Sequence, residues 1–143
     1  MYLDHEVLFD NDVAITVTRN STNVIDFIKE APDIGAGEDL FVMVKVTTAF
    51  TAGGSATLQV ALVADDNEAL TTPTILQGQV VAVASLIAGF ELRFRIHPSS
   101  VTERFLGFIY TVATGPMTAG KITAGIVKDI QRWKAFPSGF TVA

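Results

Sequence analysis

The chain contains no cysteine. That excludes a disulfide framework, a thiolate nucleophile and a cysteine metal cage together. Histidine is nearly as scarce, with His5 and His97 the whole supply. Charge is thin as well: 17% of the residues are charged, against a usual share of about 25%. A small domain with so little charge struggles to cover its apolar surface, which favours burial in an oligomer or assembly. A basic excess is missing too. The net charge of -5 argues against a nucleic-acid binder, which needs a basic footprint for phosphates. The longest apolar-looking run, Val80 to Phe90, is about half of the roughly 20 residues that a membrane span requires. Met1-Tyr2-Leu3-Asp4-His5-Glu6 lacks the basic and apolar regions of a secretory signal. These absences predict a soluble, intracellular product without membrane contact.

What the chain does have is period-two alternation. In Leu40–Thr47, Leu40, Val42, Val44 and Val46 would point one way from an extended backbone, and Phe41, Met43, Lys45 and Thr47 the other. Similar runs are Val13–Thr18, Thr22–Ile28 and Thr57–Ala64, while Val80–Ala84 reads as strand or as one or two helical turns, with strand favoured. In the run ending at His97, Leu92, Phe94 and Ile96 oppose Glu91, Arg93 and Arg95. Lys121–Lys128 supplies the last strand. Phe105–Val112 is apolar on both faces, which predicts a central strand or one whose second face is covered. Thr51-Ala52-Gly53-Gly54-Ser55 has turn chemistry, so the strands on either side of it are expected to form an antiparallel pair.

Seven or eight short strands with Gly, Pro and Asn turns describe an all-β protein, a single jelly-roll-like sandwich of about eight antiparallel strands. The expected organisation is one domain: an N-terminal arm over 1–12, the sandwich over 13–129, and an aromatic tail over 130–143. Charge is unevenly spread along it. Residues 1–72 hold 12 acidic and 3 basic side chains, and residues 73–143 hold 3 and 7, a division that could give complementary patches between subunits.

The candidate sites are few. A hydrolytic triad would need a histidine beside Ser or Asp, and a cupin-type metal site would need several histidines facing inward. His97 lies on a charged strand face and His5 in the arm, so no catalytic residue, metal or cofactor is expected. Asp10-Asn11-Asp12 and Asp65-Asp66-Asn67-Glu68 could offer oxygen to Ca²⁺, but neither has EF-hand spacing, and both read as turns. Gly35-Ala36-Gly37 lacks the third glycine of a nucleotide fingerprint and reads as a turn needing positive φ. Arg93 and Arg95 mark either a solvated face or a charged contact with a partner. Trp133, Phe136 and Phe140 follow the last strand with little core left to enter, which makes them interface candidates. Tyr2, Leu3 and Phe9, in an arm that would order on a partner, complete the expected partner-binding set.

A family resemblance follows from the order of several short motifs. Asp4 and Phe9 precede the first strand. Ser21-Thr22-Asn23-Val24-Ile25-Asp26 and Ile34-Gly35-Ala36-Gly37 lead into Leu40–Thr47. Later come Arg104-Phe105-Leu106-Gly107-Phe108-Ile109-Tyr110, Gly115-Pro116 and Thr118-Ala119-Gly120-Lys121-Ile122-Thr123-Ala124-Gly125. In this order they resemble the small jelly-roll capsid cement, or decoration, proteins of tailed bacteriophages. The resemblance spans nearly the whole chain, is weakest over residues 65–89, and leaves the tail beyond Gln131 unmatched. It implies a non-enzymatic protein made in the host cytoplasm and placed on the virion exterior. Its partners would be the major capsid protein and further copies of itself, as a dimer or trimer. Two other readings stand beside it: another virion sandwich, such as a head-completion or tail protein, and a carbohydrate-binding β-sandwich.

Overall fold

The computed structural model describes residues 5–32, 34, 37, 39–97 and 99–128. After a short 3-10 turn at His5–Val7, nine strands follow: β1 Leu8–Ala14, β2 Arg19–Asn20, β3 Ile25–Asp26, β4 Leu40–Ala52, β5 Thr57–Asp65, β6 Thr74–Ala82, β7 Glu91–Ile96, β8 Phe105–Ala113 and β9 Met117–Val127. One sheet has the order β1-β9-β4-β7, and the other β2-β8-β5-β6 with β3 also on β8. Every pairing is antiparallel. Two such sheets interleaved along the chain make the expected jelly-roll sandwich.

The inner faces share one core. Val42, Val44, Val46 and Phe50 of β4 meet Leu58, Val60 and Leu62 of β5, all within that cluster. Burying each such side chain stabilises the fold by about 1.5–3 kcal/mol. At its centre, the Phe108 ring meets Phe9 edge-on at 5.1 Å, Phe94 tilted at 6.3 Å and Tyr110 stacked at 5.9 Å. Aromatic pairs like these add roughly 0.5–1.5 kcal/mol each beyond their burial.

The antiparallel β4–β5 pair expected across Gly53–Ser55 does not exist. β4 pairs with β7 and β9, and β5 with β6 and β8. The short link crosses between the sheets, with Ala56 buried in the core. Two amphipathic strands joined by a tight turn can bury their apolar faces side by side or face to face, and here they do so face to face.

Strand β1 starts earlier than the alternation suggests, inside the segment expected to be an arm. Leu8, Phe9 and Asp10 are buried consecutively. Register shifts follow Leu8 and Asp10, and Asp12 takes φ 51°. Such bulges erase the period-two signal by adding residues to one strand of the pair. The Thr22–Ile28 run likewise yields only β3. Polar groups interrupt it: Ser21 Oγ accepts from Phe108 N (3.1 Å) and donates to Asn23 O (2.8 Å).

Strand β8 is central, as its two apolar faces required. Its outer face is covered by the loop after β5, where Leu70 packs with Ala61, Val63, Val24 and Ile109. A Cβ on Gly107 would stand 2.8 Å from Leu70 Cδ1, so the glycine leaves room for the end of the Leu70 side chain.

Candidate adhesion surface

Alternation along β7 buries Leu92, Phe94 and Ile96 and turns Glu91, Arg93 and Arg95 outward. The pairing with β4 sets Arg95 beside Phe41, Arg93 beside Met43 and Glu91 beside Lys45. On the other side of β4, Val127, Gly125 and Thr123 of β9 continue the same rows. Met43, Val127 and Phe41 form a cluster separate from the main core. That cluster is covered, with Met43 0% and Val127 5% exposed and Phe41 half-buried, so what this outer face offers along β7 is two guanidinium groups. Arg93 pairs with Glu91 at 2.8 Å and Arg95 with Asp39. The two arginine side chains keep 42% and 48% of their exposure. Only the Arg95–Asp39 pair is exposed on both sides; such a pair is worth about 0–1 kcal/mol, so a partner carboxylate could take over Arg95 at little cost, whereas Arg93 is tied to a Glu91 side chain only 13% exposed. Exposed arginine is enriched at protein interfaces.

At the sheet's other end, Asp12 accepts from Thr47 Oγ1 at 2.6 Å and from Lys121 Nζ at 2.9 Å. The Thr47 and Lys121 donors hold its carboxyl below the ordinary value despite some desolvation. A bidentate Arg104–Asp26 pair, at 2.6 and 2.7 Å, ties β3 to the start of β8. Arg104, together with the Ile28 backbone N–H, lowers the Asp26 carboxyl to about 2.

One buried polar network was not foreseen from the sequence. Asp10, 1% exposed, accepts from the Tyr110 hydroxyl at 2.6 Å and from Thr22 N and Oγ1 at 2.9 and 2.7 Å. It joins the two sheets and satisfies a buried carboxylate without a cation. Burial, and then the Asp10 charge, push the Tyr110 phenol well above its ordinary value. The only clue was an aspartate embedded among apolar residues; its partner lies 100 positions away.

The two acidic clusters come apart in space. Asp10 is buried while Asp12 reaches Lys121. Asp65 is spent on its own loop, accepting from Asn67 N, Thr72 N and Thr72 Oγ1. These bonds leave it a net lowered carboxyl against desolvation, the largest opposing influence. Gly37 has the expected positive φ, 78°. A recess of about 460 Å³ is lined by Glu6, Leu8, Asn20–Ile25, Glu68 and Ala69. Its amides and hydroxyls already bond within the fold, as in Asn20 Nδ2 to Ala69 O and Asn23 Nδ2 to Leu8 O.

The expected partner-binding residues divide. Arg93 and Arg95 are exposed on one face. Phe9 is not available: it is fully buried against Phe108, because the strand that carries it belongs to the sandwich. Tyr2, Leu3, Trp133, Phe136 and Phe140 lie outside the described residues, as does the aromatic tail over 130–143. His97 sits at the end of β7, where its carbonyl accepts from Ser100. Among the described residues no three His, Asp or Glu side chains gather as a metal would need.

The class defined by this geometry is a two-sheet antiparallel jelly roll with an arginine-bearing outer face. The Bbp16 family model matches residues 9–126, from the second residue of β1 to the penultimate residue of β9. The chain belongs to the Bbp16 family. No curated protein matches it.

Proposed function

We propose that this protein is a capsid cement protein of a tailed bacteriophage, a non-enzymatic adhesive that binds the major capsid protein lattice from outside and stabilises the expanded head. It would act there on the virion exterior as a homo-oligomer. The motif order resembling cement proteins supports this reading. The observation that carries it is the outer face of β7, where Arg93 and Arg95 stand exposed side by side next to β4. A protein that binds only the assembled lattice stabilises it by mass action, by about 2.7 kcal/mol per site at a hundredfold excess over Kd.

The test is to mix the purified protein with expanded and unexpanded empty capsids, then measure copies bound and the shell's rupture temperature. Preferential binding to expanded shells with a raised rupture temperature is expected. The double substitution Arg93→Ala and Arg95→Ala should weaken binding by about tenfold or more, while the free protein's melting temperature stays nearly constant. Binding to neither capsid form, or binding without any rise in rupture temperature, sinks the proposal.

A further inference from the structure

We propose that the free edge of β6 is the seam along which two copies of this chain pair, strand against antiparallel strand across a two-fold axis. This rests on the self-association part of the function proposed above and names its surface.

A sandwich of two open sheets has four edges, and exposed edges invite pairing unless something blocks them. At β1, Asp10, Asn11 and Asp12 coincide with two register shifts. Strand β7 carries Glu91, Arg93 and Arg95. The β2/β3 edge has two strands of two residues each, broken at Ser21–Val24. β6 has no comparable charge defence. It reads Thr-Ile-Leu-Gln-Gly-Gln-Val-Val-Ala over nine residues, without a charge or a proline. It pairs only with β5 among the described residues. The single register shift lies between Leu62 and Val63, towards Ile75, and leaves Gln77–Ala82 in unbroken register with Leu62–Thr57. Among the described residues, two of the five exposed large hydrophobic side chains lie on this strand, Ile75 at 61% and Val80 at 59%.

The neutrality of β6 favours a second copy as the occupant. Across a two-fold axis every residue meets the same short strand, so any charge near the axis faces its like, at a cost in free energy. β6 brings none. A charged foreign strand would find no counter-charge on it, whereas a copy would match Gln and aliphatic side chains with their own kind and extend the ladder with main-chain bonds.

The test follows self-association of the full chain by sedimentation, with amide hydrogen exchange at low and high protein concentration. The expected result is a dimer in which amides within 77–82 gain protection as concentration rises. Val80→Lys should raise the dimer Kd by about tenfold or more. Val17→Lys, altering a side chain 58% exposed elsewhere, should leave it unchanged. A dimer that survives Val80→Lys, equal weakening by Val17→Lys, or β6 exchange independent of concentration overturns the seam. A monomer at every concentration does so too; if that monomer still binds and stabilises capsids, the cement reading stands without it. A dimer with an intact seam that ignores capsids retains the seam and loses the cement reading.

Discussion

Tyr110 and Asp10 show how much a single residue pair can hold in a protein with so few charges. The phenol donates to a buried carboxylate that bridges the sheets. Tyr110→Phe keeps the ring stack but removes one of the three donors to Asp10, which should destabilise the fold by about 1–3 kcal/mol. The phenol also predicts alkaline behaviour. Its folded value lies well above the ordinary 10, so the folded state retains the proton as the unfolded state begins to lose it. Stability should therefore fall as pH rises above about 10, and denaturant melts at pH 9 and 11 should show a smaller loss in Tyr110→Phe. Gly120 is a second single-residue constraint. It has φ 142°, and a Cβ there would fall 2.3 Å from the Phe50 ring. Gly120→Ala should cost about 3 kcal/mol through overpacking and backbone strain, more than Gly107→Ala, whose nearest obstacle is the flexible end of Leu70. Equal melting temperatures for these two variants would contradict that account.

At the level of elements, the segments resembling cement proteins turn out to be one another's partners. Ser21–Asp26 lies along Arg104–Tyr110: Ser21 N donates to Phe108 O, Ile25 pairs with Leu106, and Phe27 N donates to Arg104 O. Asp26 and Arg104 close the arrangement. Because the folded Asp26 carboxyl is lowered to about 2 from 3.8, its contribution is complete above about pH 4 and is lost as pH falls through 2. Asp26→Asn should remove that part of the acid dependence, so wild type and variant should converge in melting temperature at pH 2 and differ at pH 5. A constant difference across that range would show that Asp26 does not act through its charge. Those two motifs thus build one sheet, while Leu40–Thr47 and Thr118–Gly125, which belong to the same resemblance, pair in the other, where the candidate interface lies.

For the whole molecule, the two sheets have different outer faces. One is roofed by the loop carrying Leu70, and the other presents its arginines along β7. That asymmetry suits a protein that adheres through one face and pairs through an edge of the opposite sheet. If both surfaces engage together, each dimer engages the shell twice, and effective concentration raises the avidity beyond either contact alone. The rise in shell rupture temperature should then depend on the protein concentration more steeply for wild type than for Val80→Lys.

Sequence alone determined the class of fold, because the alternation of Leu40–Thr47, Glu91–Ile96 and Thr57–Ala64 leaves each strand an apolar side to bury, and a chain whose other segments also read as strands can cover it only with a facing sheet. It also determined that β8 would lie in the middle and that Arg93 and Arg95 would share a face, since both follow from side-chain period. The tertiary structure decided which strands pair. The same pattern serves a hairpin or a crossing between sheets, and β4 and β5 cross. It also decided the fate of Phe9 and Asp10: bulges in β1 hide their periodicity, and their partners Phe108 and Tyr110 are set by contacts about a hundred residues apart, where local spacing carries no information.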